Sequence, residues 1–367
     1  MNENVIIIPE IITQLDQAVS DTALLDANND VDAIATWLRE YKANSNTFIS
    51  YRQCAERYYL WIHYQGKDLA QVTREDLQDY QDFLADPQPR EFWCGKRAPK
   101  GPDWKPFVAG LSTASIKLQF LILKNLYNYL VAAEYLQRNP FLLIKKMPKP
   151  VDKGIDRVLT KKHIDYILEY VNQMPNETYT QEFDKEQANW LIKLFFLSGM
   201  RISEVANGRM SDFIYQRDQW WLRTVGKGNK YGEIPATEDL INALANYRRF
   251  IGLPTLPDAF EEYPIIIRRR GSEIIPLTAN MLHRLFKKIL AATADYIEHE
   301  DPSAAYLFRK SSAHWLRHSS ATYQVEAGID VITVKENLRH SNIETTMKYV
   351  HKDKTNRHKE TNKKFKI

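Results

Sequence analysis

The sequence predicts a mainly α-helical protein of two domains that also carries a small antiparallel β-sheet. Three observations lead there. At 367 residues the chain exceeds what one hydrophobic core comfortably serves. Apolar residues recur at helical spacing through most of it. Two strand-like runs, 219–225 and 230–236, flank the turn "GKGN", which is a hairpin pattern.

In the first half, Val31, Ile34, Leu38 and Tyr41 predict a helix over 31–42. Phe48, Tyr51, Ala55, Tyr58 and Ile62 predict another over 47–64, with Gly66 as its C-cap. Thr73 is placed to cap a third, carrying Leu77, Tyr80, Phe83 and Leu84. A fourth spans 112–136 and stops at Asn139-Pro140. Four such helices make a compact bundle. Between the third and fourth, five prolines within 87–106 argue against regular structure. There Arg90, Lys96, Arg97, Lys100 and Lys105 alternate with Phe92, Trp93, Trp104 and Phe107. Such a loop suits nucleic acid as readily as plain surface packing.

Prolines, a glycine and charges at 146–157 mark the domain boundary. The expected organisation is an acidic arm at 1–30, a helical domain at 31–147, a linker at 148–157, a second domain at 158–350 and a basic tail at 351–367. In the second domain Thr160 opens a helix, and a polar stretch at 172–187 leads to the apolar helix 188–199. The hairpin follows, "YPIIIRRR" (263–270) reads as a further strand, and the pattern is helical from Leu277 onward.

Composition, 44% hydrophobic and 26% charged, is that of a soluble globular chain. The net charge of +4 is unevenly spread: residues 1–50 hold eight acidic and two basic side chains, a balance of −6, leaving about +10 for the rest. A basic body of this kind suits a polyanionic partner. Cys54 and Cys94 have no metal or disulfide spacing, which fits a reducing cytoplasm. The run Val5–Ile8 is too short for a membrane span and lacks the basic start of a signal peptide. The sequence has no GxxxxGK[ST], HExxH or GxSxG pattern, so energy-coupled chemistry and zinc hydrolysis have no support in it.

The candidate chemistry is spread over four places. Arg201 stands just before a helix with Glu204 in its first turn. Capping or simple pairing with Glu204 explains that arrangement by itself. Lys227 lies between glycines at the hairpin tip. In "HWLRH" (314–318), His314, Arg317 and His318 share one helical face, and gathering them needs an anion, either a carboxylate or a phosphate. In "LRHSNIETTMKYVH" (338–351), Ser341 and Glu344 have capping-box spacing, with His340 just before the helix and Tyr349 two turns in.

The order Arg201, Lys227, His314-x-x-Arg317, His340, Tyr349, with the last two nine apart, resembles the tyrosine recombinase or phage integrase family, which includes Xer-type recombinases and transposon integrases. The resemblance covers about 200 residues from near Arg157, and less specifically the helical first half, which looks like the family's core-binding domain. It implies the two-domain recombinase architecture and strand exchange through a 3′-phosphotyrosyl intermediate, without metal, ATP or cofactor. Tyr349 would be the nucleophile, and Arg201 and Arg317 would bind the phosphate. His314 would accept a proton or donate to the phosphate, His340 would be a second donor, and Lys227 the general acid. Glu204 and His318 would support them, while His351 has no assigned step. The resemblance further implies double-stranded DNA with inverted-repeat sites, a synaptic tetramer, and accessory DNA-bending proteins as partners.

Two features depart from the pattern: the basic tail after Tyr349, which docks onto a neighbouring protomer in the family or equally contacts DNA here, and Arg339, where the family commonly has glycine and which predicts a locally different turn or an added phosphate contact. Lys96, Arg97, Lys100, Lys105 and Arg339 are the candidate DNA contacts. The segment at 87–110 favours a mobile-element integrase over an Xer-type resolvase. A silent DNA-binding regulator, a metal-dependent nuclease built on Glu204 and Asp212, and a type IB topoisomerase are the rival readings.

Overall fold

A computed structural model describes residues 25, 27–43, 45–96, 101, 104–145, 157–226, 230–271 and 273–350. The Val5–Ile8 run, most of the acidic arm and of the linker, Arg97, Lys100, Lys227 and the tail with His351 lie outside these residues. The chain divides into two compact units, Met1–Lys153 and Gly154–Ile367. Among the described residues no helix is long and apolar enough to cross a membrane.

The first unit is a helical bundle of α1 (Asp30–Arg39), α2 (Ser45–Tyr64), α3 (Arg74–Ala85), the single turn α4 (Arg90–Trp93) and α5 (Thr113–Ala132). Caps set its starts. Asn29 accepts from the Asp32 amide, Ser112 from the Ser115 amide, and Thr73 and Asp76 cap each other. Asp30 fastens α1 by accepting from the Leu69 amide (2.8 Å) and the Tyr135 hydroxyl (2.8 Å). The first and fourth predicted helices end three and four residues early, at Arg39 and Ala132, because the chain turns there to carry Tyr41 and Leu136 into the core.

The proline-rich segment is more ordered than its prolines suggest. Trp93 and Phe107 are both 1% exposed. They are brought together by α4 and by a bridge between Cys94 and Phe107, and Phe92 and Trp104 pack on the same core. Burial of these aromatics outweighs the lost backbone donors. They are therefore anchors of the bundle and not a stacking platform. Lys96 is exposed, while Lys105 donates to the Glu91 carbonyl.

The second unit has α6 (Lys161–Gln173), α7 (Tyr179–Ser198) and α8 (Ile202–Asn207), followed by the three-stranded antiparallel sheet β1 (Phe213–Gln216), β2 (Gln219–Gly226) and β3 (Lys230–Pro235). Helix α9 (Glu238–Phe250) leads to a separate two-stranded ribbon, β4 (Ile267–Arg270) with β5 (Glu273–Pro276). Five helices complete it: α10 (Ala279–Ile297), α11 (Pro302–Lys310), α12 (Ala313–Glu326), α13 (Val331–Asn337) and α14 (Glu344–Val350). Four expectations need correction here. Helix α7 starts at Tyr179, inside the stretch read as polar, because Thr178 and Gln181 form a capping box and the polar first turns face outward. The predicted strand 263–270 is extended and buried at Ile265 and Ile266 but pairs as a strand only from Ile267. Strands β1 and β5 were not expected at all. Helix α14 is capped by Asn342, whose Oδ1 accepts from the Glu344 amide (2.9 Å), and not by Ser341.

The β2–β3 register pairs Leu222 with Ile234 on the core and Gly226 with Lys230 at the end of the hairpin. The turn after α7 depends on Gly199. Its φ is +59°, and an added Cβ would lie 2.6 Å from Leu338 Cδ2. That turn delivers Arg201 to the start of α8.

Candidate functional site

Five segments of the second unit converge on Tyr349. Helix α12 contributes His314, Arg317 and His318 from one face, because its other face, with Leu316, Ser319 and Ser320, is buried. The Ser319 hydroxyl fixes this helix by accepting from the Leu159 amide (2.7 Å). The remaining segments are the turn after α7 with Arg201, the turn after α13 with Arg339 and His340, helix α14 itself, and strand β3, whose Gly232 lies against the Arg339 side chain.

Arg317 is 3% exposed. Its two terminal nitrogens donate to the backbone carbonyls of Gly199 and Leu338, which ties the ends of α7 and α13 together. These partners are neutral, so the guanidinium charge stays uncompensated by direct pairing. Burial first, and then the neighbouring charges of Arg201 and Arg339, push its pKa down to about 9. A buried cation among cations is favourable only with an anion nearby.

Glu204 is the carboxylate at this end of the site, and its side chain is 2% exposed. Oε1 takes Arg201 Nη1 (2.8 Å), and Oε2 takes the Arg201 amide (2.8 Å) and Arg339 Nη2 (2.6 Å). Burial acts to raise its pKa, but Arg339 and the bonds from Arg201 outweigh that and hold it low. With both oxygens taken by guanidinium groups, Glu204 is an arginine holder and not a metal ligand.

The histidines form a row. The rings of His314 and His318 are 4.2 Å apart edge to face, that of His318 lies 5.5 Å from Tyr349, and that of His340 lies 6.5 Å from Tyr349 in a stacked arrangement. His318 Nδ1 is in hydrogen-bond contact with the Tyr349 hydroxyl. His340 Nδ1 meets the Thr346 hydroxyl at 2.8 Å, which leaves Nε2 for a ligand. Desolvation, then Arg317 and Arg201, push the His340 pKa down to about 4. The same causes, with Arg157 added, hold His314 below its ordinary value, although its side chain reaches the surface. Tyr349 is 8% exposed; burial raises its pKa, and Arg317 opposes that shift.

Arg201, Glu204, His314, Arg317, His318, His340 and Tyr349 are thus brought together. Arg339 lies among them with its guanidinium on Glu204, and its backbone does not show the locally different turn that was expected. It adopts the left-handed conformation itself, with φ +55°. Two features were not read from the sequence. One is that His318, and not His314, touches the Tyr349 hydroxyl; the available signal was its position four residues after His314. The other is the Glu204–Arg339 pair, which spans 135 positions and has no local signature. Lys96 and Lys105 belong to the other unit.

The arrangement suits a phosphodiester: several cationic donors, a buried phenol, an imidazole on its hydroxyl, and a carboxylate that orients arginines. Comparisons with known proteins agree. The model of the phage integrase family matches residues 157–356, more than half of the chain. A tyrosine recombinase XerC of Bacillus licheniformis is 28% identical over 317 residues, covering 84% of this chain and 86% of the relative. A tyrosine recombinase XerD of Rickettsia bellii is 24% identical over 330 residues, covering 86% and 90%. Among solved structures, the XerH site-specific recombinase bound to a palindromic difH substrate superposes with a TM-score of 0.59 at 18% identity, covering 96% of this chain and 93% of that one. The Tn1549 transposon integrase with circular intermediate DNA gives 0.65 at 16%, covering 93% and 100%. At these identities the structural likeness speaks for the two-domain recombinase fold.

Proposed function

This chain belongs to the phage integrase family of tyrosine recombinases, enzymes that cleave and rejoin DNA strands, and from that premise we propose that it is a site-specific recombinase whose nucleophile is Tyr349. The observation that carries the assignment is the contact between the Tyr349 hydroxyl and His318 beside the buried guanidinium of Arg317, whose hydrogen-bond partners are neutral carbonyls.

In the reaction, Tyr349 Oη attacks the scissile phosphorus, and the phosphorus–O5′ bond breaks. His318 Nδ1 takes the phenol proton, and His314 lies next to it in the imidazole row. Arg201 and Arg317 bind the non-bridging oxygens and hold them more strongly as negative charge grows. His340 donates through Nε2. Lys227 gives its proton to the departing 5′ oxygen. The 5′ hydroxyl of another strand then gives its proton to Lys227 and attacks the phosphorus; the bond to Tyr349 Oη breaks and the phenol regains its proton from His318, so the bond energy is conserved in the restored phosphodiester and no metal or nucleotide is needed.

The partner is double-stranded DNA carrying inverted-repeat sites, with four protomers in the synaptic assembly and DNA-bending proteins as helpers. Within this class we read the chain as a mobile-element integrase or transposase in place of an Xer-type resolvase. The support is the proline-rich segment at 87–110. A silent regulator is the weaker reading, since such a protein has no use for a phenol held against an imidazole.

The test is a nicked suicide DNA substrate built from sequence recovered in covalent attachment to the protein. Wild type should give an SDS-resistant adduct that persists in EDTA, and Tyr349→Phe none. No wild-type adduct would overturn the assignment.

A further inference from the structure

We infer that Arg339 is a positioning residue for phosphate transfer, holding Arg201 through Glu204 and the β2–β3 hairpin through Gly232. The inference rests on the recombinase reading and adds to it a residue that does not touch DNA.

Three observations converge on this side chain. Its backbone occupies the left-handed region at φ +55°, which glycine enters freely and arginine does not. Strain of that kind persists where the surroundings fix the residue. Its guanidinium is nearly enclosed, 11% exposed, with Nη2 on Glu204 Oε2 (2.6 Å) and Nη1 on the Asn337 carbonyl (2.9 Å). The remaining nitrogen, Nε, is buried without a hydrogen-bond partner. A group chosen for phosphate would not be turned away in this manner.

The third observation is the space its stem occupies. A Cβ built on Gly232 would lie 2.4 Å from Arg339 Cδ and 3.0 Å from Cγ. Strand β3 is therefore open at this position for the arginine to cross it. Gly232 pairs with Thr224 on β2, two residue pairs from the Gly226–Lys230 pair that closes the hairpin bearing Lys227. One side chain thus connects three parts of the reaction. Glu204 Oε1 and Oε2, steadied by Arg339, hold the side chain and amide of Arg201. The stem supports the root of the Lys227 hairpin. The backbone of Arg339 precedes His340 directly.

A positioning role has a signature that a phosphate contact lacks. Loss of Arg339 should slow the chemical step at saturating DNA and leave affinity intact, because the phosphate donors remain. Loss of a phosphate contact would weaken binding and reduce its salt slope.

The experiment measures DNA affinity, its salt dependence and the single-turnover rate of adduct formation on the suicide substrate, for wild type, Arg339→Gly, Arg339→Lys, Gly232→Ala and the double variant Gly232→Ala/Arg339→Gly. Arg339→Gly should lower the rate by roughly 10- to 100-fold, the range typical of residues that orient a reactive group, with the dissociation constant within about twofold of wild type. Arg339→Lys, which keeps stem and charge, should recover part of the rate. Gly232→Ala should slow the arginine-bearing protein and have little further effect once Arg339 is glycine, a coupling expected only for groups in contact. Thermal melting identifies any variant that fails to fold, and Gly232→Ala carries the test if Arg339→Gly does so. A wild-type adduct with unchanged variant rates, additive losses at 232 and 339, or a loss confined to affinity and salt slope would each overturn the inference. No adduct from wild type would overturn the recombinase reading beneath it.

Discussion

Buried tyrosines occur in both units of this protein, with different partners on their hydroxyls. In the helical bundle Tyr58 and Tyr127 share a hydrogen bond of 2.9 Å, Tyr127 donates onward to the Leu69 carbonyl (3.0 Å), and Tyr80 accepts from Gln119 (2.6 Å). Each of these partners is neutral. Burial drives the hydroxyls of Tyr58 and Tyr80 well above the ordinary phenol range, so they remain protonated and inert. Tyr349 is also buried, but its hydroxyl meets an imidazole, and the Arg317 cation opposes the upward shift. What sets Tyr349 apart from the core tyrosines is thus not burial, nor a nearby cation, since Arg57 opposes the upward shift of Tyr80 as well. It is the imidazole on the hydroxyl.

The largest effect expected from breaking this contrast is at Tyr349. Tyr349→Phe should lower adduct formation by on the order of 10⁴-fold or more, as removal of a nucleophile does. Tyr58→Phe should leave the adduct unchanged. Arg317→Ala comes next, at roughly 100- to 1,000-fold. It should also destabilise the second unit, because the Gly199 and Leu338 carbonyls lose their donor, and a melting curve would report that separately. His318→Ala should cost on the order of 100-fold, with the loss shrinking as pH rises and hydroxide substitutes for the base. A loss at His314→Ala exceeding that at His318→Ala would reassign the proton acceptor.

The bundle helices were legible because caps and 3.6-residue spacing are local, and Leu77, Tyr80 and Leu84 are buried as their period requires. The site's chemical inventory was legible because the order Arg201, His314, Arg317, His340, Tyr349 is a property of sequence. Its internal wiring was not. Glu204 meets Arg339 only through the tertiary fold, and Gly232 takes its meaning from a side chain over a hundred positions away. The 87–106 segment misled for a related reason: prolines mark local backbone limits, whereas the burial of Trp93 and Phe107 is a global gain. Strands β1 and β5 are four residues each, too short to carry a periodic signal.

A smaller effect concerns His340, whose pKa of about 4 keeps it neutral in the free protein across most of the working range. The unfolded chain takes up this proton near the ordinary histidine value of about 6.5. Between those values the unfolded state holds more protons, so this residue lowers stability as pH falls through that window, and above about 6.5 its effect vanishes. A bound phosphodiester should raise the folded value by supplying the missing negative charge. Titration of the His340 ring by NMR with and without DNA measures the shift; no upward movement on binding would mean that His340 does not face the phosphate.

The smallest effects belong to the bundle and sharpen the contrast from its inert side. Tyr58→Phe removes one hydroxyl, yet Tyr127 keeps its bond to the Leu69 carbonyl. The expected cost is about 0.5–1.5 kcal/mol. Tyr127→Phe removes the middle of the chain and leaves both the Tyr58 hydroxyl and the Leu69 carbonyl unpartnered, at about 1–3 kcal/mol. Urea unfolding should therefore rank Tyr127→Phe below Tyr58→Phe in stability, while single-turnover adduct formation is the same for both at a temperature where each is folded. Equal costs would mean that water replaces the lost hydroxyl inside the bundle, and the neutral network would then be less closed to solvent than its burial implies.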